Sequence, residues 1–433
     1  MPRGVFTSDQ HNNFRRSSFE LDLGFEKIID LLDVEPLFNI PSCVVKAKKG
    51  DKTEYPIHGE VFDGKLDSKN ENWENAEGLL RHRNTRFYLN EAGERSFFSE
   101  KKLESYLSGS IYEKEFSQGA TLVPRNFWFV DIVSHPKFGI NPEKPYLKTT
   151  EIKYAKGDYK DINMSGNVDN RFLFATLRGS EIVPFYHLPF RVCVLPVKRG
   201  DLDFKMWSEN KARKRGYDGL ANWLEEVERL WKKKGGKDRE ESAVEWLNYR
   251  NKIEKQNPNA KYKVLYLTSG KNIAACMLDF ENIELKAEVN GKKVPLTDFV
   301  ADYMTYYYET NNKDEALYLT SLLNSPSVNK MIKGMQSRGL FGERHICKKV
   351  LELSIPPFDS NNELHRKLIE LSKKCRDKAK EVLPKWIEKY KGIAWIRKGV
   401  RDDLQDELKE ISNLSLEVMS KVEESRSKIE DWS

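Results

Sequence analysis

Two glycines and a cluster of cations make Ser337–Ile346, SRGLFGERHI, the stretch of this sequence best suited to hold an anion. Gly339 and Gly342 bracket a Leu-Phe pair, and glycine lets the backbone turn with positive φ and approach another surface closely. Five basic side chains surround this turn, with one acid, Glu343, among them: Arg338, Arg344, His345, Lys348 and Lys349. Amides and cations in this arrangement suit a phosphate. A solvated loop anchored by Phe341 is the alternative.

The elements on either side of the turn follow from apolar spacing. Val328, Met331, Ile332 and Met335 fall on one face and predict a helix over Ser327–Met335 that leads into the turn. Alternating Leu351, Leu353 and Ile355 predict a strand that leads out of it. The turn is therefore expected to project between two packed elements.

The wider run from Tyr318 to Asp359 contains the phrases LLNSP, RGLFGERHI and IPPFD in that order. It resembles the end of the target-recognition domain of adenine-specific DNA N6-methyltransferases that carry methylase and specificity region in one polypeptide of a restriction-modification system. The resemblance implies that this part of the chain binds double-stranded DNA at a specific sequence. Phosphate contacts are expected from Arg338, Arg344, Lys348 and Lys349.

A second resemblance to the same family lies at the start of the chain. PRGVFTSDQHNNFRR, followed by IIDLLDVEPLFNIPSCVVKAKKG, is similar to the last third of its methyltransferase fold, after the catalytic loop. The phrase LFNIPSC matches one whose aromatic packs against the flipped-out adenine, which implies that role for Phe38. An aromatic wall recovers part of the unstacking cost. From the residues alone, the favoured interpretation of Phe38 is an ordinary core residue between strands.

The motifs that would complete such an enzyme are missing. The family binds S-adenosylmethionine with a Gly-rich loop after its first strand and positions adenine with an Asn/Asp-Pro-Pro-aromatic loop. Ile355–Asp359, IPPFD, has paired prolines but no preceding Asn or Asp. The chain thus resembles the carboxyl-terminal half of the enzyme, with no catalytic residue of its own. S-adenosylmethionine is expected for the complete enzyme, and none for this chain alone.

A tyrosine triplet closes the predicted strand Phe299–Glu309. Neighbouring residues on a strand face opposite sides, so at least one of Tyr306, Tyr307 and Tyr308 is expected at the surface. Phenol rings near a basic turn suit nucleic acid, and Tyr307 is the candidate DNA contact. Half-exposed structural tyrosines are the alternative.

Charge distribution and cysteine content bear on the binding partner and on the cellular compartment. The 433 residues carry a formal charge of +6, which by itself does not indicate nucleic acid. Two windows, Lys205–Arg239 and Leu323–Val350, each sum to +5, so the remainder is near −4 and the positive charge is clustered. Five scattered cysteines without a CxxC favour neither disulfides nor zinc. No apolar run is long enough for a membrane span, and we expect a cytoplasmic protein.

The sequence also contains residues in the order of a metal-dependent nuclease motif. Asp131 with Glu151-Ile152-Lys153 has the D…ExK order in which two carboxylates hold Mg²⁺ and a lysine assists the attacking water. ExK is a frequent tripeptide and no proline precedes Asp131, so a metal site is not predicted.

The fold class predicted is α+β in four regions. Residues 1–50 form a fragment of the Rossmann-like α/β methyltransferase fold, and residues 51–118 form a linker of helices and loops. Residues 119–360 form a mixed α+β target-recognition domain with a hairpin over Tyr262–Thr268 and Ile273–Asp279. Gly219–Trp231 is predicted as its best amphipathic helix. Residues 361–433 form an antiparallel helical hairpin, packed on itself or against a partner.

The function predicted is sequence-specific binding of duplex DNA as the recognition half of an adenine N6-methyltransferase. The cofactor site would lie on a separate chain, or would have been lost by truncation, and this chain alone would be inactive. The alternatives are a stand-alone DNA-specificity subunit and a degenerate, inactive fragment.

Overall fold

The computed structural model describes residues 1–17, 22–103, 106–107, 109–135, 137–150, 159–235, 241–336, 338–339, 342–343 and 345–430. It confirms the α+β class, with several small sheets and helices packed between them. All five cysteines are free thiols, and four of them are buried. No helix in these ranges has an apolar stretch long enough to cross a bilayer.

The first hundred residues build a five-stranded mixed sheet in the order β2-β1-β3-β4-β5, in which only β1 and β3 run parallel. Aromatic side chains from both ends of this segment meet beneath it: Phe6 contacts Phe87 and Phe98 edge-on. The elements are α1 (Asn12–Arg15), β1 (Leu23–Glu35), β2 (Cys43–Lys49), β3 (Ile57–Lys65), α2 (Trp73–Leu79), β4 (Leu80–Ala92) and β5 (Arg95–Ser99).

The prediction of helices and loops over residues 51–118 was wrong, because three long strands cross this segment. The first half of β4, LRHRNTR, is exposed on both faces and so lacks the alternation that marks a strand. Cross-strand ion pairs replace apolar contacts there: Arg81 lies against Asp63 of β3, and Arg83 binds Glu100 through both guanidinium nitrogens. Residues 1–50 thus find their partner strands within this chain. A Rossmann-like arrangement is not specifically observed.

The central region holds a second five-stranded sheet, antiparallel throughout, in the order β10-β13-β7-β8-β9. The predicted amphipathic helix is confirmed as α6, and its tryptophans belong to the core: the Trp223 indole donates to the Phe127 carbonyl at 3.0 Å. The elements are α3 (Tyr112–Glu115), β6 (Ser117–Gln118), α4 (Arg125–Trp128), β7 (Phe129–Val133), β8 (Tyr146–Thr149), β9 (Ser165–Asn167), β10 (Leu173–Thr176), β11 (Ile182–Val183), β12 (Tyr186–His187), β13 (Arg191–Val194), β14 (Val197–Arg199), β15 (Phe204–Met206), α5 (Glu209–Lys214), α6 (Asp218–Gly235) and α7 (Ala243–Leu247).

A third, four-stranded antiparallel sheet has the order β17-β16-β20-β6 and confirms the predicted hairpin. The strand predicted from Phe299 begins only at Thr305, because the preceding residues form isolated bridges to other segments, such as Phe299 with Ala175. The elements are β16 (Tyr262–Leu267), β17 (Ala275–Asp279), β18 (Lys286–Val289), β19 (Lys292–Pro295), β20 (Thr305–Thr310), α8 (Lys313–Asn324), α9 (Pro326–Lys333), β21 (Arg338–Gly339) and β22 (Gly342–Glu343).

The tail consists of three helices instead of the predicted two: α10 (Glu363–Lys389), α11 (Ile393–Asp403) and α12 (Gln405–Glu430). The two long helices do contact each other, and buried Glu407 of α12 accepts from Lys374 and Lys378 of α10. They also cover α8 and α9 of the central region, so the hairpin is not packed only on itself. The tail thereby joins the main hydrophobic core.

Candidate nucleic-acid interface

The glycine turn folds as a small hairpin. Arg338 pairs with Glu343 and Gly339 with Gly342, so the backbone reverses where the two glycines predicted. The structure gives only the backbone of these four residues, and Phe341 and Arg344 lie outside the described residues. The predicted phosphate contacts of Arg338 and Arg344 therefore stay predictions.

The segment after the hairpin is anchored by main-chain bonds to the third sheet. The Cys347 amide donates to the Thr268 carbonyl at 3.0 Å, and the Tyr266 hydroxyl donates to the Cys347 carbonyl at 2.8 Å. Ile346 is fully buried between two residues of positive φ, His345 at 59° and Cys347 at 45°. This left-handed backbone is costly for non-glycine residues. It turns exposed His345 outward while Ile346 points into the core.

The two adjacent lysines have different surroundings. Lys348 is half-buried and its ammonium donates to the Glu113 carbonyl at 2.7 Å, which leaves its charge without a carboxylate partner there. Lys349 is buried, and its ammonium donates to the Met335 carbonyl. Burial lowers the pKa of Lys349. The prediction of a phosphate contact from Lys349 is not compatible with this placement.

Leu351 and Leu353 do not form the predicted strand, because the chain runs through a 3-10 helix over Lys349–Glu352. The alternation that indicated a strand comes from a buried turn of helix in which four successive residues are enclosed. A strand would have needed a neighbour in a sheet, whereas this segment lies between α9 and α3.

The tyrosine triplet points inward. Tyr307 is 4% exposed, so the DNA contact predicted for it is not supported by its position. Its neighbours are half-buried and each stacks on another ring, Tyr306 on Tyr266 and Tyr308 on Phe116. The alternative of structural tyrosines describes them better, because both faces of β20 are covered.

In the amino-terminal segment that resembles the methyltransferase fold, Phe38 is an exposed aromatic residue. It is 65% exposed in the connection between β1 and β2, and Ile40 of the same connection is 59% exposed. The reading of Phe38 as a core residue is therefore wrong. Met1 exchanges two main-chain hydrogen bonds with Cys43 at the outer edge of β2, and beyond Cys43 no described strand pairs with that edge. The unpaired part of the edge, near exposed apolar side chains, is a surface suited to another chain or ligand.

Two of the three resembling phrases have structural roles. In LLNSP, Asn324 both accepts from the amide and donates to the carbonyl of Ala275, which fastens α8 to the edge strand β17. Near IPPFD, the Tyr318 hydroxyl donates to the Pro356 carbonyl, and its ring lies 4.4 Å from that of His365. RGLFGERHI reaches the surface at exposed His345.

The two resembling segments, residues 1–50 and 318–359, meet in space, although 267 residues lie between them in the sequence. Strand β21 lies beside the 3-10 helix Arg3–Phe6, and Gly334 approaches Phe97 and Ser99 of β5. The junction is sealed by Arg95, whose Nη1 lies 2.6 Å from Glu352 Oε1. Burial raises the pKa of Glu352 to about 7. No pattern in the sequence indicates the ion pair of Arg95 with Glu352, because charged residues usually lie at the surface.

The residues present do not fit S-adenosylmethionine. Among the described residues, no strand leads through a Gly-rich turn into a helix, the arrangement whose amides cradle a carboxylate or phosphate. A hollow of about 520 Å³ beside β1 and β3 is lined by four charged residues together with the rings of Phe25 and His58. No described helix begins at this hollow, so it offers no row of helix amides to a carboxylate.

No metal site is apparent either. Within the described ranges, no three His, Cys, Asp or Glu side chains are grouped closely enough to hold an ion. Asp131 lies exposed on β7, whereas Glu151 and Lys153 of the weighed nuclease motif are outside those ranges.

Among the solved structures to which this chain is similar are two restriction-modification enzymes. One is the type IIL restriction-modification enzyme MmeI in complex with DNA, at 10% identity and a TM-score of 0.47, covering 92% of this chain and 43% of that one. The other is the type IIG restriction endonuclease BpuSI, at 14% identity and a TM-score of 0.31, covering 96% and 46%. The chain thus spans less than half the length of either enzyme.

At this level of similarity the two structures carry no argument about what the present chain does. No protein-family profile and no curated protein sequence matches it. The function has to be argued from the residues and from their arrangement.

Proposed function

We propose that this chain binds double-stranded DNA at a specific sequence, as the recognition half of an adenine N6-methyltransferase of a restriction-modification system. One observation carries the proposal: the two segments that independently resemble this family, residues 1–50 and 318–359, lie against each other where β21 of the basic hairpin contacts the 3-10 helix Arg3–Phe6, and Arg95 bridges Asp9 and Glu352 beside that contact. If the two resemblances were due to chance, the two distant segments would not be expected to lie together. A shared DNA-binding site requires them to lie together.

The candidate residues then take separate roles. Arg338, Arg344 and Lys348 contact phosphates, with His345 beside them, and these contacts fix the register of the protein on the duplex. Phe38 stacks on an adenine taken out of the helix. The glycines of the hairpin let its backbone approach the duplex closely.

S-adenosylmethionine and the catalytic loop belong to residues outside this sequence, on a separate chain or on a missing part of the same polypeptide. The part of the β2 edge beyond Cys43, with which no described strand pairs, is where that half would join. DNA is the other partner. We place the protein in the cytoplasm, where its DNA and cofactor are found.

A stand-alone DNA-specificity subunit is the second candidate, and one observation favours it. The first hundred residues complete their own sheet and core, with β3 to β5 closing over β1. The chain therefore has no need of a missing half in order to fold.

Duplex binding at a series of salt concentrations tests the proposal. If three to five cations contact phosphates, log K should fall against log salt with a slope of about −3 to −5, from roughly 0.9 per contact. Selection from a random duplex library should return one enriched sequence. A flat salt dependence, or no enrichment, would reject DNA recognition.

Reconstitution separates the two candidates. Methylation on mixing with an amino-terminal half that carries the cofactor and Asn-Pro-Pro-aromatic loops would favour the split enzyme. Specific DNA binding without any such rescue would favour the subunit.

A further inference from the structure

The bend between α10 and α11 carries three aromatic rings stacked in a row. Trp386 and Tyr390 are 5.8 Å apart between ring centroids and nearly parallel at 3°, and Tyr390 and Trp395 are 5.9 Å apart at 26°. Trp395, at the open end of the row, is 57% exposed. We call Lys385–Lys398 the aromatic elbow. In the sequence, Trp386 and Tyr390 read simply as part of an apolar helix stripe.

Lysine side chains lie over these rings. The ammonium of Lys385 is 4.5 Å from the centre of Trp386, that of Lys389 is 5.2 Å from Trp386 and 5.4 Å from Tyr390, and that of Lys398 is 5.8 Å from Trp395. A ring holds a cation in place but does not neutralise it as a carboxylate does. These three lysines are exposed, so their charge is available to an anion.

The elbow also carries a net positive charge. Its 14 residues contain five Lys or Arg and one Glu, a net of +4. Two carboxylates lie nearby: Asp403 accepts from the Trp386 indole at 2.6 Å and is 3.7 Å from Lys385, and Asp402 is 3.8 Å from Lys398. The surface therefore stays positive.

Buried arginines fix α11, and with it the elbow, to the central region. Arg397 donates to the carbonyls of Ile182 and Gly179, and Arg401 donates to the carbonyl of Ile273. Gly399 lies directly beneath the Trp386 ring, where a Cβ would clash with it. The row of rings is thus held in one position, and binding an anion there would order little additional chain.

We propose that the aromatic elbow binds the sugar–phosphate backbone of DNA, as a second contact apart from the glycine hairpin. Lys389 and Lys398 meet phosphates, and Trp395 packs against a sugar or an unstacked base. Nucleic acid is the partner that this composition fits, because lysines interleaved with aromatics mark its binding surfaces. The cores of protein–protein interfaces are depleted in lysine. The inference rests on the proposed function, which supplies DNA as the ligand.

The test compares two double variants of equal charge change on a duplex longer than the recognised sequence. Lys389→Gln with Lys398→Gln alters the elbow. Lys286→Gln with Lys293→Gln, on the β18–β19 hairpin where both lysines face Glu284, is the control. The elbow variant should flatten the salt slope by about 1.8, two contacts at roughly 0.9 each, and the control should not change it.

Trp395→Ala should weaken affinity roughly fivefold with the wild-type salt slope, and Trp395→Phe should restore most of it. Equal slopes for the two double variants would overturn the elbow while leaving the hairpin as the DNA contact. If the elbow variant changes the sedimentation of the protein but not its DNA affinity, the elbow would instead be a contact between two copies of this chain, and the proposal would be overturned. If the wild-type chain binds no duplex at all, the proposed function itself fails.

Discussion

Arg95 of β5 and Glu352 of the 3-10 helix after the glycine hairpin form an ion pair, with Nη1 2.6 Å from Oε1, that ties the amino-terminal sheet to the central region. Arg95 also lies 3.6 Å from Asp9. The Glu352 side chain is 10% exposed, so its charge is held largely out of water.

This burial predicts a pH-dependent stability. Because the pKa of Glu352 is raised from 4.5 to about 7, the folded chain binds more protons than the unfolded chain between these values. The free energy of unfolding therefore loses on the order of 3 kcal/mol from this group as pH rises from about 4.5 to 7. Glu352→Gln cannot ionise, so its stability relative to wild type should increase through that window. Denaturant melts at several pH values measure this difference, and parallel profiles for both proteins would contradict it.

Adjacent lysines give a second prediction. Lys348→Gln should flatten the salt dependence of duplex binding by about 0.9, because its ammonium faces no carboxylate in the described contacts. Lys349→Gln should leave the slope unchanged and instead lower stability by about 1–3 kcal/mol, since it removes a buried donor to the Met335 carbonyl. Titrations at several salt concentrations and thermal melts distinguish the two. A slope change in Lys349→Gln would place that residue at the DNA after all.

The stacking role of Phe38 is tested by comparing Phe38→Ala with Ile40→Ala, a variant in the same connection. Phe38→Ala should slow methyl transfer by the reconstituted enzyme roughly tenfold to a hundredfold, from a stacking contribution of about 1 to 3 kcal/mol. The melting temperature of the free Phe38→Ala chain should stay at the wild-type value, because the Phe38 ring is 65% exposed. Ile40→Ala, equally exposed in the same connection, is the control and should keep the wild-type rate. Equal rates for both variants, or a stability loss of about 3–5 kcal/mol in Phe38→Ala, would reject the stacking role.

The isolated chain should not bind S-adenosylmethionine. No Gly-rich turn opens a helix after a strand in the described residues, so the groups that would hold the cofactor's carboxylate and ribose are missing there. Isothermal titration calorimetry of the purified chain checks this, with a complete methyltransferase as the positive control. Micromolar binding would show a cofactor site of a different kind.

Local chemistry was enough to predict several parts of the chain from its sequence. The glycines at 339 and 342 set the hairpin, apolar spacing set α6 and the two long tail helices, and turn residues set the β16–β17 hairpin. In each case the signal lies within a few residues of the element that it specifies, so no knowledge of distant partners is needed.

Tertiary structure decided which side chains reach the surface. Lys349 and Tyr307 look in sequence like their neighbours Lys348 and Tyr308, yet both are buried, because distant segments cover them. The first half of β4 lacks apolar alternation and is held to β3 by backbone pairing and a cross-strand ion pair. Burial and strand pairing depend on residues far apart in the chain. For that reason the basic hairpin could be predicted from the sequence, whereas its junction with the first sheet could not.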